Sequence, residues 1–256
     1  MQSAIDAGEN KDIAVIFEDD DVVVIDKPSG VSVHNDAHHT DPTVVDWFLG
    51  KYPEAKDVGE SQTLQNGEPM ERSGVVHRLD RDTSGIMILA KHQKAYEHLK
   101  YQFKQRAAKK EYRAFVYGAM KDRWGTIDRP IGRSGKDFKL RSAEPGAKGV
   151  LRDAVTHFEC IGQSHTHAYL KLLPKTGRMH QLRVHLKAVG RPIIMDPLYA
   201  PEAFVAEKDN LGFTRLALHA HRLELVLPSG REERFIAPLP MVFEKAAERM
   251  LEDIGE

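Results

Sequence analysis

The chain has almost no cysteine and no long apolar run. Cys160 is the single cysteine among 256 residues, which excludes a disulfide framework within the chain and a zinc site built from several thiolates. No stretch approaches the roughly 20 apolar residues that span a bilayer. Residues 1–12 are polar and lack the apolar core of a signal peptide. We therefore expect a cytoplasmic protein, outside the membrane, with a flexible tail over residues 1–12.

Net charge is also nearly absent, at −1, but this total hides a strong asymmetry along the chain. Residues 1–72 contain 5 basic and 16 acidic side chains, whereas residues 91–152 contain 17 basic and 6 acidic ones. The middle of the chain is thus as basic as a nucleic-acid-binding segment. A solvated surface without a ligand is the alternative reading of such charge.

Periodicity and turn residues predict an α+β protein, since hydrophobic residues make up 41% of the chain and can form a packed core. No linker is evident, so we expect a single domain over residues 13–256. Asp128–Gly149, rich in Gly, Pro, Lys and Arg, is predicted to be a mobile basic loop. The patterns predict strands in residues 13–25, 111–117, 154–161, 168–173 and 216–227, and helices in residues 43–49, 94–106, 180–189 and after 240.

One carboxylate lies in an unusual setting. Val75-Val76 leads into the loop His77-Arg78-Leu79-Asp80-Arg81, and a Thr-Ser-Gly turn follows. The loop is predicted to lie between two buried strands, one at Val75-Val76 and one at Ile86–Ala90. Ionised groups near a core are costly unless they are paired. Asp80 is therefore a candidate functional residue, and a structural pair with Arg78 is the simpler alternative.

Two further segments complete the pattern. Lys109-Lys110-Glu111-Tyr112 places a tyrosine 32 residues after Asp80, and Thr176-Gly177-Arg178-Met179-His180-Gln181-Leu182-Arg183 follows later. With the segment around Asp80, these resemble the H-R-L-D-x-x-T-S-G, K-x-Y and T-G-R-x-H-Q-[IL]-R motifs of the RluA-like RNA pseudouridine synthases. Lesser matches are Asp26–Gly30, Met195–Tyr199 and Leu218–Ala220. The resemblance extends from about Ile13 to Pro240.

The resemblance implies a pseudouridine synthase catalytic fold, with a mixed, largely antiparallel sheet flanked by helices and loops. It implies that Asp80 is the nucleophile, that Tyr112 stacks on the target base and removes the C5 proton, and that Arg183 pairs with Asp80. No cofactor or metal is implied. The partner is ribosomal or transfer RNA, the expected state is a monomer, and the S4 RNA-binding domain of many relatives is expected to be absent.

RNA would then be held by basic side chains of the catalytic domain itself. Simple solvation is the alternative to phosphate binding for Lys109, Lys110, Arg133, Lys136, Lys139 and Arg141. For His77, a structural role is the alternative to an RNA contact, and a role as the base of a nucleophile is less favoured. The candidates for substrate or RNA binding are His77, Arg78, Arg81, Lys109, Lys110, Arg133, Lys136, Lys139, Arg141, Arg178 and His180.

Two other classes of function have some support in the sequence. A metal hydrolase is suggested by the 13 histidines, but no H-E-x-x-H motif occurs, and His180 and His185 are not at the i,i+4 spacing of a helical zinc pair. A non-catalytic RNA-binding or RNA-folding protein would use the basic segment equally well. It would leave Asp80, Tyr112 and Arg183 unexplained.

Overall fold

The structure is a computed structural model that describes residues 12–35, 41–60, 62–63, 69–70, 73–137, 140–202 and 209–252. The chain divides into two compact units: unit 1 takes residues 1–109 and 220–238, and unit 2 takes residues 110–219 and 239–256. The prediction of a single domain over residues 13–256 stays a prediction. The predicted tail lies outside the described residues except for Asp12.

Fourteen strands and four α-helices form the regular structure of the described residues, together with one 3₁₀ turn at Pro53–Ala55. None of these helices is both long and apolar enough to cross a membrane. The strands are β1 (Ala14–Glu18), β2 (Val22–Lys27), β3 (Gln62–Thr63), β4 (Pro69–Met70), β5 (Ser84–Ala90), β6 (Lys109–Tyr117), β7 (Trp124–Asp128), β8 (Ile131–Arg133), β9 (Arg141–Ser142), β10 (Lys148–Arg152), β11 (Val155–Gln163), β12 (His167–Pro174), β13 (Leu218–Val226) and β14 (Glu232–Ile236). The helices are α1 (Val44–Lys51), α2 (Gln93–Lys104), α3 (Gln181–Ala188) and α4 (Met241–Glu252).

Unit 1 is built on strands in the order β1-β2-β5-β13, with β14 paired to β13. The β1–β2 and β2–β5 pairs are antiparallel. Val22–Ile25 and Ile86–Ala90 are buried along their whole length, because both faces of these central strands are covered. Helix α1 begins at Thr43, whose hydroxyl accepts from the Asp46 amide while the Asp46 carboxylate accepts from the Thr43 amide.

Unit 2 is built on the antiparallel order β6-β12-β11-β7. Its core includes Phe115, Phe213 and Phe243, whose rings lie 5.1–5.7 Å apart in tilted and edge-on contacts. Helix α3 contributes Leu182 and Leu186 to this core. The predicted strands and helices in this part of the chain are therefore confirmed, with their ends shifted by one or two residues.

The prediction of a loop over Asp128–Gly149 was wrong in part. Strands β8 and β9 and the first two residues of β10 lie within this segment, and the three strands form an antiparallel sheet in the order β10-β8-β9. Its strands have two to five residues, and all five residues of β10 are exposed. Such strands leave no alternation of apolar and polar residues in the sequence, and for this reason the pattern did not indicate them.

Two smaller corrections concern unit 1. The Val75-Val76 lead-in makes only an isolated antiparallel bridge, from Val75 to Leu89, so the Asp80 loop follows a bridge and precedes strand β5. Strand β14 was not predicted, because only Phe235 of its five residues is buried.

Candidate active site

The Asp80 loop is fixed in place by the turn that follows β2. Lys27 is fully buried, and its ammonium group donates to three carbonyl oxygens, those of Pro28, Val31 and Arg81, at 2.8–2.9 Å. The Arg81 carbonyl also accepts from the Gly30 amide at 2.9 Å. Because all three protons of this buried ammonium group are donated, its hydrogen-bonding capacity is satisfied. The backbone next to Asp80 is therefore held rigidly, while its carboxylate remains half-buried.

Further bonds hold the same loop on its other side. The Ser29 hydroxyl donates to the Asp82 carbonyl at 2.7 Å, and the Thr83 amide donates to the Asp80 carbonyl at 3.1 Å. Nε of Arg81, an exposed side chain, donates to the Gly30 carbonyl at 3.1 Å. The Asp26–Gly30 segment, noted in the sequence only as a lesser match, thus supports the predicted nucleophile.

The histidine of this segment has a packing role. Nε2 of His77 accepts from the Ile88 amide at 3.1 Å, and its ring stacks on Phe103 with centroids 4.5 Å apart. These contacts tie the loop to β5 and α2. They support the structural role that was considered for His77, and its contact with RNA stays a prediction. Arg78 is exposed.

Gly85, the glycine of the Thr-Ser-Gly turn, is required by a close backbone approach. Its φ is +114°, and a Cβ at this position would lie 2.2 Å from the Ala220 carbonyl oxygen. No other residue fits there without moving the backbone. The glycine thus lets the Asp80 loop enter β5 directly beside residue 220.

In unit 2, Arg183 forms a buried bidentate pair with Asp196. Its Nε and Nη2 donate to the two Asp196 oxygens at 2.8 and 2.7 Å, and both side chains are at most 3% exposed. Asp196 also accepts from the amides of Leu198 and Tyr199. Nothing in the sequence predicts a pair between these two residues. The predicted contact between Arg183 and Asp80 stays a prediction.

Tyr199 joins several predicted residues around Arg183. The Arg183 guanidinium lies 5.1 Å from the Tyr199 ring centroid, within cation–π range. The Tyr199 hydroxyl lies 2.7 Å from Nδ1 of His180 and accepts from the Arg141 amide at 3.1 Å. His180 has φ +56° at the N-terminus of α3, an uncommon conformation for a residue with a side chain. Tyr199 and Asp196 lie in the Met195–Tyr199 match.

The loop before α3 is fixed by Gln181. Its side-chain oxygen accepts from the Thr176 hydroxyl at 2.7 Å and from the Arg178 amide at 3.0 Å. Its amide nitrogen donates to the Val155 carbonyl at 3.0 Å. Arg178 itself is half-buried and donates from Nε to the Asp153 carbonyl. The Thr-Gly-Arg segment is therefore a rigid support for α3 and Arg183.

Tyr112 and Lys110 lie near the start of β6. Tyr112 is half-buried against the unit 2 core and pairs in register with Leu172 of β12. Lys110 lies over the Thr-Gly-Arg segment, since a Cβ on Gly177 would be 3.5 Å from its Nζ. Burial lowers the pKa of Lys110 below its usual range. Two of the three sequence motifs thus meet within unit 2.

The remaining basic candidates differ in their surroundings. Lys109 is exposed and lies 3.6 Å from Glu224 in a loose ion pair. Arg133, in the centre of the three-stranded sheet, faces Arg141 on one side and Lys148 on the other. Lys136 is exposed, and Lys139 lies outside the described residues.

Comparison with known proteins identifies the chain. The profile of the RNA pseudouridylate synthase family matches residues 21–188. An uncharacterized RNA pseudouridine synthase of Synechocystis sp. is 38% identical over 238 residues, which cover 93% of this chain and 68% of that relative. The chain belongs to the RNA pseudouridine synthase family. Ribosomal large subunit pseudouridine synthase D of Xanthomonas campestris is also 38% identical, over 93% of this chain and 70% of its own length.

Solved structures confirm the predicted fold of the synthase. Human RNA pseudouridylate synthase domain containing 4 superposes with a TM-score of 0.71 at 25% identity, over 93% of this chain and 92% of that one. Human RNA pseudouridylate synthase domain containing 1 superposes with a TM-score of 0.72 at 22% identity, over 94% and 90%, and shows the fold alone. The protein is thus an isomerase that acts on RNA, as predicted.

Proposed function

We propose that this synthase isomerises uridine in ribosomal RNA, with Asp80 as the nucleophile and Tyr112 and Arg183 as its partners. The ribosomal substrate is supported by the 38% identity to the Xanthomonas enzyme, whose name places its action on the large ribosomal subunit. Asp80 is supported by the fixed loop that carries it. Transfer RNA is the other substrate class that the family resemblance allows.

The reaction needs a carboxylate that is held still while the base moves. Pseudouridine formation breaks the C1′–N1 bond, turns the uracil and joins C5 to C1′, after which the C5 proton leaves and N1 gains one. An aspartate can add to C1′ or to C6, or can assist formation of a glycal. In each route the carboxylate must meet the nucleotide in one defined geometry, and positioning of this kind supplies a large part of catalysis. Lys27 and Ser29 provide that rigidity by holding the carbonyls of residues 81 and 82.

A guanidinium suits the stabilisation of this carboxylate. Arginine keeps its charge and binds carboxylates through a planar fork of donors. In this chain the Arg183 fork is anchored on one side by Asp196, which fixes the orientation of the whole group. We propose that the oriented Arg183 guanidinium is the charged partner of Asp80.

Tyr112 is proposed to hold the detached uracil. Once its glycosidic bond is broken, the base is no longer tethered and must be kept in place, and an aromatic ring gives it a stacking surface. Tyr112 is half-buried at the start of a strand whose later residues are fully buried. The phenol is also the proposed base for the C5 proton.

The three-stranded sheet is proposed to bind RNA phosphates. Arg133, Arg141 and Lys148 lie side by side on three neighbouring strands, so their like charges repel one another. None of the three forms an ion pair with a carboxylate among the residues that the structure describes. An RNA backbone would neutralise this row. With Lys136, Lys139, Arg178 and the lysines at positions 109 and 110, it forms the proposed phosphate-binding set.

Replacing Asp80 with Asn tests the nucleophile. Asparagine keeps the size of the side chain and removes the negative charge, so isomerisation should be lost while the fold and RNA binding are kept. Asp82→Asn is the matched control, since Asp82 is another half-buried aspartate of the same loop. Its backbone carbonyl, which accepts from Ser29, is not altered by the substitution. Tritium release from C5-labelled RNA measures the reaction. Activity of Asp80→Asn within tenfold of wild type would overturn the assignment.

The substrate is tested by mapping pseudouridine in total RNA from cells with and without the gene. Loss of one or more sites in large-subunit RNA is the expected result. Loss confined to transfer RNA would contradict the ribosomal proposal and leave the Asp80 proposal intact. Complementation with Asp80→Asn should leave the same sites unmodified.

A further inference from the structure

Strand β7, at the edge of the unit 2 sheet, presents an exposed tryptophan beside a groove. Trp124 is 64% exposed, although a ring of this size is usually largely buried. The Arg123 guanidinium lies 5.1 Å from the Trp124 ring centroid. An exposed tryptophan that carries a stacked arginine offers an aromatic face and a positive charge at one place.

The groove beside Trp124 is formed where β11 bulges. In the register of β11 with β12, Ile161 is the extra residue between Cys160 and Gly162, and its side chain is 40% exposed. The groove has a volume of about 410 Å³, within the range of small-ligand sites. We call it the β7 groove, and its lining residues are Lys121, Arg123, Cys160, Ile161, Gly162 and Gln163.

The charge in the β7 groove is positive. Lys121 and Arg123 are exposed, and neither forms an ion pair in the described part of the chain. Glu159, opposite Trp124 in the β11–β7 register, is already used by Lys171 at 3.1 Å. The pKa of Glu159 is lowered chiefly by this hydrogen bond. Asp122 is the exposed acid between the two cations in sequence.

We propose that the β7 groove binds an unpaired stretch of the RNA substrate, distinct from the uridine that reacts. A base would stack on Trp124, and Lys121 and Arg123 would contact the phosphates on either side. Stacking on an aromatic ring tolerates any base, and cations along the backbone are its usual complement in single-strand binding. This inference rests on the family's activity on RNA and is independent of the role of Asp80.

The chain offers a direct reporter for this site, because it contains only two tryptophans, Trp47 and Trp124. Trp47→Phe leaves Trp124 as the single indole. Titration of this variant with a ten-residue oligouridylate should quench its fluorescence in a saturable way. Inorganic polyphosphate, which has charge but no bases, should give much less quenching. Equal quenching by polyphosphate, or none by the oligouridylate, would overturn the proposal.

Kinetics with a substrate RNA fragment provide the second test. Trp124→Ala should raise KM by about tenfold, the lower part of the range for a lost stacking contact, and leave kcat unchanged. Tyr101→Ala is the matched control, since Tyr101 is also 64% exposed but lies on α2 of unit 1. A Trp124→Ala enzyme with the KM of wild type would contradict the proposal, whatever the fluorescence shows.

Asp80→Asn separates this proposal from the catalytic one. The Asp80→Asn, Trp47→Phe double variant should be inactive and still show the Trp124 quenching. Lys121→Ala with Arg123→Ala should weaken that quenching by several-fold, whereas Arg231→Ala, which removes an exposed cation paired with Glu233, should not. Equal effects of the two changes would show that net charge alone is sensed and would overturn the groove as a site.

Discussion

At the residue scale, the buried pair between Arg183 and Asp196 means that a substitution of Arg183 affects stability as well as activity. Arg183 is 3% exposed and Asp196 fully buried, so removing one partner leaves the other charge in a medium that solvates it poorly. Loss of activity at Arg183 can therefore arise from loss of the fold. A useful variant has to separate the two.

Arg183→Met is expected to lower the free energy of unfolding by about 3–5 kcal/mol, the usual cost of breaking a buried pair. Arg183→Lys should lose less stability but recover only part of the activity, because an ammonium group cannot reproduce the fork. Urea unfolding measures the stabilities. Arg178→Met, which removes one hydrogen bond to a backbone carbonyl, is the control and should cost about 1 kcal/mol. A Met variant as stable as wild type would contradict the buried-pair argument.

The sequence was sufficient to propose the reacting residues but not their supports. Asp80, Tyr112 and Arg183 were proposed because the short segments around them resemble motifs of the family. Lys27 and Asp196 act across 54 and 13 residues of chain, at contacts that only the folded structure creates. Both lie in segments whose family resemblance was noted. Nothing in their immediate neighbours indicates what each one holds.

At the scale of elements, regular structure was predictable where one face is buried. Helix α2 and the strand pair β11–β12 have apolar residues at helical or alternating spacing, and both were found where predicted. The three-stranded sheet has an exposed edge strand and strands as short as two residues, so pairing and not periodicity defines it. Its cationic row was likewise hidden, because Arg133 and Lys148 are distant in sequence.

Gly85 sets the junction between the Asp80 loop and β5. Gly85→Ala should lower the free energy of unfolding by about 2–4 kcal/mol, since a positive φ and a clash with backbone act together. Gly146→Ala is the matched control: its φ is also positive, at +91°, but nothing lies within 4 Å of the added Cβ, so about 1 kcal/mol is expected. Thermal unfolding of both variants measures the difference. Equal losses would show that the close approach to residue 220 is unimportant.

The cationic row should oppose stability and favour binding. Arg133→Gln removes the repulsion of Arg133 with both Arg141 and Lys148, so the protein should become more stable by a few tenths of a kcal/mol. RNA affinity should fall, and the negative slope of log K against log salt should become shallower by about 0.7–0.9. Arg152→Gln is the control, because its register partner is Ile131 and no repulsion is relieved. An Arg133→Gln protein that is less stable, or that binds RNA with an unchanged slope, contradicts the proposed phosphate site.

At the scale of the whole molecule, the near-zero net charge divides unevenly between the two units. Unit 2 has 21 basic and 16 acidic residues, a net charge of +5, whereas unit 1 has 16 basic and 22 acidic, a net charge of −6. Attraction of RNA is then expected to come from unit 2, which contains both the cationic row and the β7 groove. The acidic residues of unit 1 repel RNA phosphates, and salt at about 0.1 M largely screens this repulsion at distances beyond about 10 Å.

The last prediction follows from this division. If binding depends on phosphate contacts, salt should lower kcat/KM and leave kcat at saturating RNA unchanged, because the chemical step involves no released counterions. The three cations of the row alone give a slope of about −2.1 to −2.7, so kcat/KM should fall roughly 20- to 40-fold between 50 and 200 mM salt. Neutralising two exposed carboxylates of unit 1, Asp20 and Glu54, should leave this slope unchanged, since these groups contact no phosphate. Steady-state kinetics at four salt concentrations measure both quantities. A kcat/KM that does not depend on salt would mean that the basic surface of unit 2 is solvated only, and that RNA is held chiefly by stacking and hydrogen bonds to its bases.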